Sequence, residues 1–242
     1  MSIPQVYLYT ASRLMDFKFV NTIRGEFYMN LSKREREQQE HENLIIETAI
    51  ELFCEYGYEN ITMDMIAQKS EFTKRTVYRY FSSKEDLFFA TAFKGHQYLY
   101  EMLFEAIQQG NTGFDKVRLF YIAYYKFILK YPKLAKLVNQ RRYSNSENIE
   151  QISPNYRKFI RIDKLLFESI RKIFVQGQED GSIRSDLAID QLAFSTIYIA
   201  FGFFQLVSFN GDTYPKHFGY EKDSFIQFSI DRLLESIKAD DT

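Results

Sequence analysis

The sequence predicts an all-α protein with a small N-terminal head and a larger helical domain. Only 4 Pro and 10 Gly occur in 242 residues, so few positions break a helix. Apolar side chains recur every three or four residues in successive segments, as they do on the buried face of a helix. Serine or threonine precedes several of these segments, where its side-chain oxygen can cap free backbone amides.

The chain begins with a segment, residues 1–38, that is predicted to be a flexible extension, and Met29 offers an alternative start. It lacks the basic start and apolar core of a secretory signal. The first helix is predicted from near Glu37 to Tyr56, where Gly57 ends it. Its apolar positions recur at helical spacing, so it would brace the segments that follow.

Two short helices separated by a tight turn are predicted within residues 62–81. Thr62 caps the first helix and Thr73 caps the second. The second helix turns Val77 to one side, and the other side holds polar and cationic side chains, namely Lys74, Arg75, Tyr78 and Arg79. A helix with donors and cations near its N-terminus, held rigidly on another helix, fits the major groove of DNA.

Positive charge is concentrated in this segment. Five cations and one anion lie between Lys69 and Lys84, a balance of +4, in a chain whose formal net charge is −1. The local charge favours a contact with nucleic acid. The alternative is a solvated charged face on an ordinary helical hairpin, because helix-turn-helix geometry is not confined to DNA-binding proteins.

Residues 52–88 resemble the DNA-binding domain of the TetR/AcrR family of bacterial repressors. The resemblance rests on residues that occur in the family's order: Leu52, Phe53, Gly57, Tyr58, Thr62, Ile66, Ala67, Thr73, Lys74, Thr76, Tyr78, Tyr80, Phe81, Lys84, Glu85, Asp86 and Leu87. It implies a three-helix domain at residues 39–99, a long linker helix, and a helical ligand-binding and dimerisation domain at residues 100–242. The DNA contacts that it implies are Thr62, Thr73, Lys74, Arg75, Thr76, Tyr78, Arg79, Tyr80 and Lys84.

Two positions depart from the family's pattern. Glu71 stands in the turn where a glycine is frequent, which costs about 1 kcal/mol if the backbone there is left-handed. Arg75 stands where a small residue often follows the lysine. We expect Arg75 to contact a base, since arginine on guanine is the commonest specific contact in the major groove.

The remaining segments continue the helical pattern. Ser83 and Asp86 match a capping box for a long helix that reaches about Gln109. Further helices are predicted at 114–130, 132–142, 154–178, 189–209 and 222–238. The resemblance implies that the last two pair with their copies in a homodimer. A stripe on the first of these two suits helix packing, either with that copy or inside one subunit: Ala193, Ile197, Ala200, Phe201 and Phe204.

Aromatic residues are abundant, with 24 Phe and 18 Tyr, more rings than a small head can bury. The second domain is therefore predicted to hold a ring-rich core or pocket. The resemblance implies a small-molecule inducer, and the rings favour a lipophilic or aromatic one. Candidate pocket residues are Tyr98, Met102, Phe120, Tyr124, Phe127, Tyr143, Phe167 and Phe174.

Other classes of function have little support in the sequence. No catalytic motif is present, and Cys54 and the three histidines lack the spacing of metal ligands, so we expect neither cofactor nor metal. A single cysteine suits a reducing cytoplasm. The uncharged run 191–210 includes polar residues and is predicted to be buried or dimer-forming rather than to span a membrane.

Together these features predict a dimeric repressor that a ligand releases from a palindromic operator. The alternatives are a constitutive DNA-binding accessory protein, and an α-helical enzyme or ligand-binding module.

Overall fold

A computed structural model describes residues 32–139, 153–210 and 213–239. The chain divides into two compact units, residues 1–45 and 46–242. In the first unit, the described residues begin a helix at a capping box. The Ser32 hydroxyl oxygen accepts a hydrogen bond from the Glu35 N–H (3.3 Å), and the Glu35 carboxylate accepts one from the Ser32 N–H (2.8 Å). Hydrogen bonds from the Ser32 hydroxyl and backbone lower the pKa of Glu35.

Helices make up most of the described residues, and we number them in chain order. They are α1 (Lys33–Tyr56), α2 (Met63–Lys69), α3 (Lys74–Tyr80), α4 (Lys84–Ile107), α5 (Gly113–Lys130), α6 (Pro132–Asn139), α7 (Pro154–Glu179), α8 (Ile189–Asn210), α9 (Thr213–His217) and α10 (Lys222–Glu235). An isolated antiparallel β-bridge joins Ile183 to Lys238. The all-α prediction is confirmed.

The helix boundaries differ from the sequence-based predictions in several places, and α10, for example, ends at Glu235, three residues before the predicted end at 238. α1 begins one turn earlier than Glu37, because the capping box at Ser32 starts it there. The short helix α9 lies in a segment predicted to be a loop. The predicted flexible extension lies outside the described residues up to position 31, as does most of the predicted polar loop 144–153.

The predicted caps of the head helices are confirmed at three positions. The side-chain oxygens of Thr62, Thr73 and Ser83 accept from the N–H groups of residues 65, 76 and 86. The capping box at Ser83 is only half formed, so that prediction is wrong in part. The Asp86 carboxylate accepts from the Ser82 N–H (3.2 Å), and its other oxygen is occupied by residues from α7.

The second domain is organised around α4, which packs against α5, α6 and α7. α7 also packs against α5 and α8, and α10 packs against α5. Rings fill the space between these helices. Tyr124, for example, lies 5.2 Å from both Phe201 and Phe204, measured between ring centroids. The linker helix therefore runs from the head into the centre of the larger domain.

The start of α5 and the end of α7 come into backbone contact at two glycines. A Cβ atom on Gly113 would lie 2.3 Å from both the Cα and the N of Gly177. That distance is far inside the van der Waals limit of about 3.5 Å between heavy atoms. Only glycine at position 113 allows this close approach.

α6 lies against the end of α1 through two hydrogen bonds. The Lys136 ammonium donates to the Cys54 carbonyl oxygen (2.6 Å), and the Cys54 thiol donates to the Lys133 carbonyl oxygen (3.3 Å). Burial raises the pKa of the Cys54 thiol, and the charges of Lys136 and Lys133 oppose this effect. Cys54 is half-buried, and the thiol acts here as a packed side chain with a weak donor.

Candidate nucleic-acid interface

The helix-turn-helix is built by two capped helices that share a buried side. Thr62 accepts from the Met65 N–H (3.2 Å) at the start of α2, and Thr73 accepts from the Thr76 N–H (3.2 Å) at the start of α3. Ile66, Ala67, Val77 and Phe81 are all buried. Because the caps and this apolar contact fix both helices, the outer side of α3 is presented rigidly.

The turn between the helices requires an unusual backbone. Glu71 has φ = +60°, in the left-handed region that a glycine adopts at no cost. The Phe72 N–H donates to the Ala67 carbonyl oxygen (3.0 Å) and closes the end of α2. The condition stated from the sequence, a left-handed backbone at Glu71, is thus met, and the turn holds local strain of about 1 kcal/mol.

The outer side of α3 is exposed and polar. Lys74, Arg75, Tyr78 and Arg79 are exposed, whereas Thr76 and Tyr80 are half-buried. The Arg79 guanidinium lies 5.1 Å from the centroid of the Tyr80 ring, which orients it. Within the described residues, no ion pair involves Arg75, so its guanidinium remains available for a base or a phosphate.

Lys74 has an internal partner that sequence reasoning missed. Its ammonium lies 2.9 Å and 3.0 Å from the two carboxylate oxygens of Asp64, in the first turn of α2. A hydrogen bond to Asp64, and the charge of that group, raise the pKa of Lys74. A DNA phosphate would have to share Lys74 with this carboxylate. The feature of the sequence that could have indicated this pairing is Asp64, an acidic residue in the first turn of α2.

Lys84 has internal partners that compete with the predicted DNA contact. Its ammonium donates to the carbonyl oxygens of Tyr58 (2.9 Å) and Ile61 (2.9 Å), with a longer contact to Glu59 (3.4 Å). It also lies 4.3 Å from the centroid of the Tyr58 ring. Since these carbonyl groups occupy its three donors, Lys84 ties the start of α4 to the loop after α1. The structural contact is observed, and the DNA contact of Lys84 stays a prediction.

The predicted ligand pocket is filled with side chains. Phe120, Tyr124, Phe127 and Phe174 are buried, and Tyr98, Met102 and Phe167 are half-buried. Tyr143 lies outside the described residues. The buried rings form core packing, and of the seven candidates that the structure describes, Phe120 alone also borders the small cavity between α4, α5 and α7.

That cavity has a volume of about 10 Å³, with Tyr100 and Ser169 as its polar side chains. Their hydroxyl oxygens lie 3.1 Å apart and share a hydrogen bond. The volume suits about one water molecule. A larger open groove of about 350 Å³ runs along α7, and its described lining is Arg157, Ile160, Arg161, Lys164, Leu165 and Glu168.

α8 has one side packed inside the subunit and one side exposed. The stripe predicted for helix packing is buried within the chain, at Ala193, Ile197, Ala200, Phe201 and Phe204. The opposite side exposes large apolar residues, namely Phe194, Tyr198, Ile199, Leu206 and Phe209, and α10 exposes Phe225 and Phe228. In the described part of the chain, α8 is the one helix long and apolar enough to cross a membrane by length and composition.

Comparison with known proteins identifies the head. The family described as "Bacterial regulatory proteins, tetR family" matches residues 45–91, which hold α2, α3, their caps and the start of α4. Residues 45–91 are thus similar to the TetR family of bacterial regulatory proteins. The departures noted above, Glu71 and Arg75, lie within the matched residues.

Among curated relatives, the chain is 28% identical over 166 residues to an uncharacterised HTH-type transcriptional regulator, YuxN, of Bacillus subtilis. The alignment covers 66% of this chain and 54% of that protein, so the chain spans about half the length of this relative.

Two solved structures show the same fold at low identity. FadR from Bacillus subtilis, in complex with stearoyl-CoA, is 22% identical with a TM-score of 0.63, over 79% of this chain and 96% of that one. AibR, in complex with isovaleryl coenzyme A and operator DNA, is 19% identical with a TM-score of 0.63, over 82% of this chain and 98% of that one. The likeness in fold thus extends beyond the head into the larger helical domain.

Proposed function

We propose that this TetR-family protein is a dimeric, ligand-responsive repressor that binds a palindromic operator in the cytoplasm. The observation that supports this most directly is the exposed side of α3, where Lys74, Arg75, Tyr78 and Arg79 project from a helix capped at Thr73. Arginine and lysine at the start of a rigid helix can contact base edges and phosphates in one groove. Arg75 is the proposed base contact, and Lys74 and Arg79 are the proposed phosphate contacts.

Dimerisation is proposed through α8 and α10, but through the side of α8 that the subunit leaves exposed. Phe209 is 88% exposed, and Tyr198 and Leu206 are each 60% exposed. The centroids of Phe203 and Phe225 lie 6.0 Å apart, so α8 and α10 form one surface. Soluble monomers rarely expose an apolar area of this kind, and a second copy would cover it. Two heads could then read two half-sites of a palindrome.

The dimer has its own test. Leu206→Glu places a charge on the exposed side of α8 without entering the core, so we expect the monomer to fold and the dimer to dissociate. Sedimentation of the wild-type protein and the variant at matched concentrations measures this. The matched control is Gln108→Glu, which adds the same charge at an exposed position at the end of α4, outside the proposed surface. Wild-type protein that sediments as a monomer would contradict the proposal.

For the ligand, we propose an amphiphile with an acyl chain and an anionic head, such as an acyl-CoA. Support comes from the solved neighbours that hold acyl-CoA molecules, and from the groove on α7, where Arg157, Arg161 and Lys164 lie beside Ile160 and Leu165. The inner cavity is too small for an acyl chain, so binding would have to move α4, α5 or α7 apart. A ligand that binds only the opened form shifts the population away from the DNA-binding form.

The filled interior also favours a second candidate, a constitutive DNA-binding protein with no inducer. The first experiment separates these functions. Purified protein is used to select duplexes from a random DNA pool at a stated salt concentration, and an inverted repeat is the expected product. Failure to enrich any sequence would contradict the proposed function. Stearoyl-CoA and isovaleryl-CoA are then titrated against the selected operator, and unchanged operator affinity would favour the constitutive protein.

Arg75 can be tested with the same operator. Arg75→Ala is expected to relax preference at one base position in each half-site, because a bidentate arginine discriminates its base by about 1–3 kcal/mol. Arg79→Ala is the comparison variant, and we expect it to weaken binding to all sequences equally. Equal loss on every sequence for Arg75→Ala would make Arg75 a phosphate contact.

A further inference from the structure

Asp86, in the first turn of α4, has a buried carboxylate. It accepts hydrogen bonds from two parts of the chain that are far apart in sequence, one at Ser82 and one at the start of α7. One oxygen accepts from the Ser82 N–H (3.2 Å), in the connection between α3 and α4. The other accepts from the Ser153 hydroxyl (2.7 Å), the Asn155 side-chain amide (3.1 Å) and the Asn155 N–H (3.3 Å). Asp86, Ser153 and Asn155 are 2%, 1% and 6% exposed. We call these three residues the α4–α7 latch.

Among the described residues, no lysine or arginine pairs with Asp86. Its negative charge lies instead at the N-terminal ends of two helices, α4 and α7, where free N–H groups and the helix dipoles favour an anion. Removal of hydrogen-bond donors from a buried carboxylate costs free energy, because its charge is then poorly solvated. The latch is therefore expected to be either closed or broken, with few intermediate arrangements.

The latch lies between the helix-turn-helix, α2 and α3, and the first turn of α7 in the larger domain. Ser82 directly follows Phe81, the buried residue that ends the recognition helix α3. Ser153 also caps α7, because its oxygen accepts from the Tyr156 N–H (3.0 Å). One carboxylate thus holds both the end of α3 and the start of α7.

Aromatic contacts reinforce the same connection. The ring of Tyr156 on α7 lies 4.6 Å from that of Phe89 on α4, centroid to centroid. Phe89 contacts Phe88, which contacts Phe53 on α1. A shift of the first turn of α7 would therefore disturb both the carboxylate and the ring packing that supports the head.

We propose that Asp86 is a positioning residue that couples the orientation of the recognition helix to the first turn of α7. Displacement of that turn breaks the latch and lowers operator affinity. This inference rests on the proposed operator binding, and it adds the route by which the larger domain controls the head.

The test compares variants on the operator selected by the wild-type protein. Asp86→Asn keeps the shape of the side chain but removes its charge and turns an amide towards donors. We expect at least a tenfold loss of operator affinity, and a changed preference for the spacing between half-sites. The control is Asp180→Asn at the other end of α7, where the carboxylate accepts from the N–H groups of Gly113 (2.8 Å) and Ser182 (3.0 Å). That variant is expected to bind within twofold of wild type.

A milder substitution, alone and combined with Asp86→Asn, keeps the test valid if Asp86→Asn fails to fold. Asn155→Ala removes one donor from the latch and leaves Ser153 in place, and we expect a smaller loss of affinity and the same change in spacing preference. In the double variant, the second substitution should have almost no further effect on affinity. All affinities are referred to the active concentration from stoichiometric titration, so that unfolded protein is not counted.

Two results separate the possible failures. If the wild-type protein selects no operator, the proposed function fails first. If it does, and folded Asn155→Ala and Asp86→Asn bind with wild-type affinity and spacing preference while their melting temperatures fall, the latch only stabilises the fold and the inference is overturned.

Discussion

Replacement of Lys84 by methionine tests whether this cation stabilises the fold or contacts DNA. Lys84→Met keeps an unbranched side chain over the Tyr58 ring but removes the ammonium, which donates at 2.9 Å to the carbonyl oxygens of Tyr58 and Ile61. A hydrogen bond from a charged donor contributes about 1.5–3 kcal/mol. Lys84 is half-buried and water can replace part of this, so the lower value applies to each bond.

Two such bonds amount to about 3 kcal/mol, and loss of the cation over the ring adds about 0.5–1 kcal/mol. We therefore expect Lys84→Met to lower the free energy of unfolding by about 2–4 kcal/mol. Urea unfolding, followed by far-UV circular dichroism at one protein concentration, measures it. Operator affinity, referred to folded protein, should keep its wild-type dependence on salt.

Lys74→Met is the matched variant on the outer side of α3. Lys74 is exposed, so its loss should leave the urea midpoint nearly unchanged. If it contacts a phosphate, the slope of log affinity against log salt falls by about 0.9 per head. Our reasoning is refuted if Lys84→Met leaves the midpoint unchanged but reduces the salt slope as Lys74→Met does.

Three other substitutions have expected outcomes that follow from local geometry. Gly113→Ala would drive a Cβ atom into the backbone of Gly177 at 2.3 Å, so we expect a loss of about 3 kcal/mol or more in urea unfolding, and a smaller loss would show that α5 and α7 separate easily. Burial raises the pKa of Tyr121 to about 12, so the folded state favours the neutral phenol and stability is lost as pH rises from about 10 to 12, by up to about 3 kcal/mol. Tyr121→Phe should remove that part of the alkaline loss, and an unchanged profile would contradict the assignment. Glu71→Gly relieves φ = +60° and should raise the free energy of unfolding by about 0.5–1 kcal/mol, whereas a lower melting temperature would show that Glu71 stabilises the turn by contacts.

Local features of the head could be predicted because they depend on residues a few positions apart. Thr62 and Thr73 cap their helices as expected, and the left-handed backbone at Glu71 occurs where the family's pattern often has a glycine. The start of α1 was missed although Ser32 and Glu35 form the same kind of local signal. Apolar periodicity does not mark this start, because the surface of the helix is polar there.

Features of the larger domain could not be predicted because their partners are far apart in the chain. Asp86 matches a capping box with Ser83, yet its carboxylate bonds to Ser82 and to residues 67 and 69 positions further on. The stripe on α8 was correctly identified as a packing surface, but periodicity does not show whether the partner helix belongs to the same subunit. In the structure it packs on its own chain and leaves the other side exposed.

The sequence by itself determined the helical fold, most helix ends, and the polar outer side of α3, since each depends on spacing within about one or two turns. Only the tertiary structure decided which cations are available to DNA. Lys84 is held by carbonyl groups 23 to 26 residues earlier, and Lys74 shares its charge with Asp64 on the preceding helix. Charge can be counted along a chain, but the availability of a charge depends on the groups that folding brings within hydrogen-bonding distance.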